Sequence, residues 1–347
     1  MKKISQKLFH FSLLALSMSN VQAAELPKDT AVDPVPLVAQ RADPSLLKGA
    51  DGKYYFVATA PEYDRIELRS SKTLMGIADA KANVIWSKHA KGPMGAHIWA
   101  PEILQIDGTW YIYFTAGDAE DIWRIRVYVL ANKSADPTQG TWEELGPVKI
   151  QNQSFSLDAT IFENKGERFY LWAQQDMART YNSAILIAKL ENPTTLGPKE
   201  TIITKPELEW EKLGYFVNEG PAVLKHGNKI FVTYSASATD HRYAMGLLWA
   251  DQDSDLLEAS SWHKSQQPVF ATNEALKRFG PGHNSFTKTD DNKQDVMVYH
   301  ARDYFALRGS PLTDANRHTY VRTVSWKPDG FPDFRQDEKD DLVVKKK

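Results

Sequence analysis

The 347-residue sequence contains no cysteine. That excludes a disulfide framework and a lipid attached through cysteine at a leader cleavage site, so an ordinary apolar core must hold the chain. It also lacks charge of one sign. Its 42 basic and 44 acidic residues are well mixed, the net charge is −2, and no basic stripe marks a nucleic-acid binder. Beyond the N-terminus no apolar run is long enough to cross a bilayer. There is no H-E-x-x-H, no phosphate-cradling glycine loop and no G-x-S-x-G.

The N-terminus carries Lys2 and Lys3, an apolar stretch from Leu8 to Leu16, and Val21-Gln22-Ala23 before Ala24. This predicts a signal peptide over residues 1–23, removed after Ala23. Export to the periplasm or the medium follows, with no membrane attachment after cleavage. Aromatics make up 11% of the chain, with ten Trp and fourteen Tyr. Such rings stack on the C–H faces of sugars, but they serve a β-rich core equally well.

Five segments share one grammar: a short strand with a polar residue near its start, a turn, then an aromatic alternating strand. Taking Asp43, Ala100, Asp158, Glu219 and His283 as equivalent gives spacings of 57, 58, 61 and 64 residues. The turns then fall at Gly52, Gly108, Gly166, Gly227 and Asn292, eight or nine residues on. Each pair reads as a hairpin. Further β-prone segments, such as Ala184 to Ala188 and Arg124 to Val129, complete about four strands per unit. The pattern predicts an all-β, five-bladed β-propeller over residues 37–335, with a charged C-terminal tail over 336–347.

First strands of propeller blades line the central channel, so equivalent positions converge on the axis. Asp43, Asp158, Glu219 and His283 are ionisable, in strands otherwise filled by apolar residues. Taken singly, Asp43 before Pro44 and Glu219 before Gly220-Pro221 read as turn residues. Their shared phase argues for convergence. Crowded carboxyls cannot all ionise freely, and their pKa values spread apart. Hydrolysis of an acetal needs that outcome: one protonated acid and one ionised base. His283 alone is a hydrogen-bonded group or a metal ligand.

Three segments carry a specific resemblance: Arg41-Ala42-Asp43-Pro44, Ser156-Leu157-Asp158-Ala159 and Val217-Asn218-Glu219-Gly220-Pro221. With His97 to Glu102 and Tyr299 to Tyr304, they make the chain resemble glycoside hydrolase family 43. The stretch Pro61 to Leu68 resembles its exo-acting α-L-arabinofuranosidases. The resemblance implies a five-bladed propeller that hydrolyses with inversion. It casts Asp43 as general base, Glu219 as general acid and Asp158 as the group that tunes and orients the acid. Inversion then calls for carboxyls about 6.5–9.5 Å apart. It also implies that Arg302 contacts the sugar and steadies the carboxylates. His283 would lie beneath the site, holding waters or a structural Ca²⁺ in the central channel, with no cofactor required for turnover. Trp99, Tyr63 and Phe216 are candidate stacking surfaces. The expected partner is an arabinose-containing oligosaccharide or polysaccharide. The C-terminal β-sandwich frequent in family 43 β-xylosidases has no counterpart after residue 335, which points to soluble oligosaccharides or accessible side chains. Endo-arabinanase, β-xylosidase and a non-catalytic sugar-binding propeller stay open at this stage, as does the oligomeric state.

Overall fold

The computed structural model describes residues 35–342; the expected leader lies outside them. Five antiparallel sheets follow one another along the chain. The first contains β1 (Ala42–Lys48), β2 (Tyr54–Thr59), β3 (Arg65–Ser71) and β4 (Asn83–Ser87). The second contains β5 (Ala96–Ile106), β6 (Thr109–Gly117), β7 (Arg126–Asn132) and β8 (Glu143–Pro147). The third contains β9 (Ser156–Asn164), β10 (Glu167–Gln174) and β11 (Ala184–Asn192), with short β12 (Thr195–Leu196) and β13 (Thr201–Thr204) both on β11. The fourth contains β14 (Asn218–His226), β15 (Lys229–Ala236), β16 (Ala244–Asp251) and β17 (His263–Lys264). The fifth contains β18 (Phe279–Lys288), β19 (Asp295–Arg302), β20 (His318–Trp326) and β21 (Pro332–Asp333). This is the expected five-bladed propeller.

The turn between the first two strands of every blade passes through the left-handed region: Gly52, Gly108, Gly166 and Gly227 at φ 79°, 80°, 78° and 55°, and Asn292 at 60°. Glycine and asparagine tolerate that geometry, which is why they punctuate the repeat. The aromatic second strands have no polar face because both faces are buried. In β2, Tyr55 and Val57 join a core with Ile112 and Phe114 of the second blade. Tyr54 and Phe56 join a core with Val296 and Val298 of the fifth. β10 divides likewise: Phe169 and Leu171 face the fourth blade, Tyr170 and Trp172 the second. A fifth cluster joins Phe231 and Met245 to Met297 and Tyr299. One apolar core therefore sits at each of the five blade interfaces, and the period-2 alternation feeds two of them from each strand.

Both ends of the described chain return to β20. Leu37 N–H bonds Thr319 O at 2.8 Å, and Thr319 N–H bonds Val38 O at 2.9 Å. Leu342 N–H bonds Val321 O at 3.0 Å, and Asp341 pairs with Arg278 at 3.0 Å. Residues 336–342 of the charged tail are thus tied to the fifth blade.

Candidate active site

Each first strand breaks its ladder with a bulge near its start. A left-handed residue sits at each bulge: Asp43 (φ 52°), Ala100 (44°), Asp158 (55°), Gly220 (56°) and His283 (43°). The equivalent residue in the fourth blade is therefore Gly220, and the alignment that placed Glu219 in phase with Asp43 and Asp158 is corrected by one. Left-handed backbone costs a non-glycine residue roughly 1–2 kcal/mol, and a bulge re-aims the side chain beside it. Four of these N–H groups are held by the second strand of the preceding blade. Ala100 N–H bonds Thr59 Oγ1 (2.8 Å) and Asp158 N–H bonds Thr115 Oγ1 (3.1 Å). His283 N–H bonds Ser235 Oγ (2.8 Å) and Asp43 N–H bonds His300 Nδ1 (3.1 Å). The corresponding second-strand residue before the fourth blade is Ala173, paired with Leu157, which offers no acceptor. Gly220 N–H turns instead to Asp158 Oδ2 at 3.1 Å. The exception in the ring is what ties Asp158 to the strand that carries Glu219.

Gly220 is also a close approach. A Cβ there would stand 2.9 Å from His283 Cγ, whereas one at Gly52 would meet nothing within 4 Å. Gly220→Ala is expected to lower unfolding stability by about 2 kcal/mol or more, and Gly52→Ala by about 1 kcal/mol, since only the first adds a collision to backbone strain. Urea unfolding of both variants measures the difference; equal losses would mean that His283 moves aside freely.

Asp43, Asp158, Glu219 and His283 line one pocket of about 280 Å³. Asp43 is the anchored carboxylate. Arg317 Nη1 donates to Oδ1 at 3.1 Å and Thr59 Oγ1 to Oδ2 at 2.7 Å, while His283 Nδ1 lies 3.3 Å from Oδ1. Burial opposes ionisation here, but the Arg317 guanidinium above all outweighs it and holds the carboxyl well below the usual range. Glu219 has the opposite environment. Burial raises it to about 7, aided by the charge of Asp43 and opposed by Arg317 and by the Tyr243 hydroxyl, which donates to Oε1 at 2.8 Å. Asp158 is also raised, by burial and by the charges of Glu219 and Asp43, against the Gly220 N–H bond. Asp158 and Glu219 take up protons as a pair.

His283 and His300 are both kept neutral by burial, His300 with its pKa down to about 3. His300 Nδ1 accepts the Asp43 N–H, so its proton sits on Nε2. Among the described residues no three His, Asp or Glu side chains are placed to hold a metal ion. His283 Nδ1 faces Asp43 Oδ1 at 3.3 Å and Asp158 Oδ2 at 3.8 Å.

Arg302 does not steady the carboxylates. It is 1% exposed, and its guanidinium donates to Thr239 O (2.8 Å) and Asp314 O (3.3 Å), behind the pocket. Buried Asp314 in turn accepts Tyr304 O–H at 2.5 Å and Arg308 N–H at 2.8 Å. Arg302 thus braces the loop between β19 and β20, and that loop delivers Arg317. Trp99 lines the pocket as expected, whereas Tyr63 and Phe216 do not. Tyr63 packs edge-on against Trp99, with centroids 5.8 Å apart, and its hydroxyl bonds Leu312 O. Phe216 points away with 46% of its surface exposed, while its neighbours Tyr215 and Val217 face the pocket. Trp123 and Phe155 complete the aromatic wall. Arg317, Tyr243, Trp123 and Tyr215 carry no local sequence signal; only the assembled loops bring them in.

Residues 34–332 match glycosyl hydrolases family 43. An extracellular exo-α-(1→5)-L-arabinofuranosidase of Streptomyces avermitilis is 50% identical over 96% of this chain and 70% of its own length. A second protein of that name, from Streptomyces chartreusis, is 51% identical over 80% of this chain and 84% of its own. The crystal structure of an α-L-arabinofuranosidase from Lactobacillus brevis superposes with a TM-score of 0.84 at 47% identity, covering 88% of this chain and 97% of that one. The chain belongs to glycosyl hydrolases family 43.

Proposed function

We propose that this protein is an exported, inverting exo-α-L-arabinofuranosidase that removes terminal arabinofuranose from α-1,5-linked arabino-oligosaccharides or arabinan. The observation that carries the reading is the asymmetry of two carboxyls in one pocket. Asp43 is held ionised beneath Arg317, and Glu219 is held near neutrality beneath Tyr243. An ionised carboxylate takes a proton from water as that water attacks the anomeric carbon. A protonated carboxyl delivers its proton to the departing oxygen. Water's oxygen stays on the sugar, one of its protons passes to Asp43, and the proton of Glu219 leaves with the alcohol. Asp158, fixed by Gly220 N–H, feels the charge of Glu219, and its role is to tune the acid and hold its strand in place. The names of the Streptomyces and Lactobacillus relatives support arabinofuranose as the sugar. Exo action is supported by the walls of the pocket, which rise from four blades through Trp123, Phe155, Tyr215 and Leu312. Export is supported by the word extracellular in the names of both Streptomyces proteins.

Incubation with linear α-1,5-arabino-oligosaccharides and with a β-xyloside, followed by chromatography, tests the reading. The expected result is arabinose alone, lost one unit at a time. Mixed oligomers would indicate endo-arabinanase action, xylose a β-xylosidase, and no product a sugar-binding propeller.

A further inference from the structure

We propose that Trp123 is the platform for the sugar just beyond the scissile bond, so that the protein prefers a chain of arabinofuranose to a single arabinofuranoside with a small aglycone. The inference rests on the arabinofuranosidase reading above.

Of the eleven large apolar side chains exposed among the described residues, eight lie in the loops that surround the pocket mouth. Trp123, Tyr215 and Leu312 are the three of these that also line the pocket. An apolar rim of this size, continuous with a site for a polar sugar, calls for a ligand with both apolar and polar faces. A glycan chain has them, and its next unit must leave the pocket across this rim.

Trp123 is the rim residue built to be rigid. Its loop joins β6 to β7 and is held from beneath by buried Asp118, which accepts the Arg124 guanidinium and the Glu120 N–H. Arg124 N–H closes the turn on Asp121 O at 2.9 Å. Any Cβ at Gly117 would collide with Ile122 O, so the loop lies directly on the strand end. The His97 ring props the indole at a tilt of 46° with centroids 5.0 Å apart, and His97 leans in turn on Trp99 at 4.3 Å and 30°. Even so, Trp123 is 53% exposed. A large aromatic ring held by its neighbours while half its surface stays exposed loses little entropy when a ligand covers it. Depth assigns the subsite. Trp99, half-buried in the pocket, faces the sugar that is cleaved; Trp123, 6.2 Å from it and 53% exposed, meets the next unit.

The test compares kcat/KM for α-1,5-arabinotriose and for methyl α-L-arabinofuranoside, whose aglycone is too small to reach the rim. Trp123→Ala is expected to lower the value for the triose about tenfold, mostly through KM, and that for the methyl glycoside by a several-fold smaller factor. Trp123→Phe should recover much of the loss. Should Trp123→Ala collapse its loop, Trp123→Leu keeps the bulk without the flat ring and should still lose the preference. Equal losses on both substrates would overturn the proposal in favour of a role in shaping the inner pocket, and no loss on either would also overturn it. Failure of the wild-type protein to release arabinose from either substrate would instead strike at the arabinofuranosidase reading itself.

Discussion

Glu219→Gln is expected to lower kcat on arabino-oligosaccharides by about 10²–10⁴-fold while leaving arabinose binding intact. The size follows from what the leaving group requires. A sugar alkoxide is a poor leaving group and departs only as it is protonated. Glu219 and Asp158 are the carboxyls in the pocket that burial holds toward the protonated form, and of the two Asp158 is taken up by the Gly220 N–H. Glutamine keeps the shape and the neutral charge, and its carbonyl can still accept the Tyr243 hydroxyl that now bonds Oε1. The fold and the sugar site should therefore persist while the mobile proton is lost. A dinitrophenyl arabinofuranoside supplies the control, since its phenolate leaves without help and should suffer far less. The pH profile supplies a second reading. The wild-type rate should decline as pH rises through about 7, where Glu219 loses its proton, and the residual rate of the variant should lack that alkaline limb. Equal losses on both substrates would show that Glu219 acts by position or charge rather than as an acid.

The blade count was legible because one physical requirement recurs at every hairpin. A left-handed turn selects glycine or asparagine, and those residues stand at Gly52, Gly108, Gly166, Gly227 and Asn292. The two-sided burial of the second strands was not: they read as alternating, whereas β2 and β10 bury both faces between neighbouring blades. Nor was the strand phase in the fourth blade. Glu219 resembles Asp43 and Asp158 chemically, so matching ionisable residues drew the repeat one position early. Backbone geometry, which places the left-handed bend at Gly220, assigns the phase. The glycine was the better signal, because the bulge needs a left-handed residue whatever chemistry sits beside it. Arg317 shows a different limit. It reaches Asp43 from a loop organised around buried Asp314, across a sequence separation of 274 residues. Such a contact is set by tertiary assembly, and a motif match at Arg302 finds the brace of that loop rather than its tip. Tyr243 likewise meets Glu219 only because β16 pairs with β15, which pairs with β14.

Asp43→Ala is expected to abolish hydrolysis to a similar degree, by about 10²–10⁴-fold, and to be partly rescued by azide with formation of β-L-arabinofuranosyl azide. Arg317 is shielded from solvent, and its guanidinium keeps its positive charge even when the carboxylate beside it is gone. Losing Asp43 leaves that guanidinium facing a void, with Thr59 Oγ1 and the His283 ring at its sides. A small anion restores the charge balance and occupies the place from which the activated water attacks. Azide needs no base, so it forms the new bond at the anomeric carbon while Glu219 still protonates the departing alcohol. Because attack comes from the face opposite the leaving group, an α-arabinofuranoside must yield the β-azide. Nuclear magnetic resonance of the product decides the matter. An α-azide would place the nucleophile on the wrong face and overturn the assignment of Asp43 as base. Rescue of Glu219→Ala rather than Asp43→Ala on the arabino-oligosaccharide would exchange the two roles. The same void explains why Asp43→Asn should resist rescue: the amide fills the space, and its carbonyl oxygen can still meet Arg317, so no room is left for the anion.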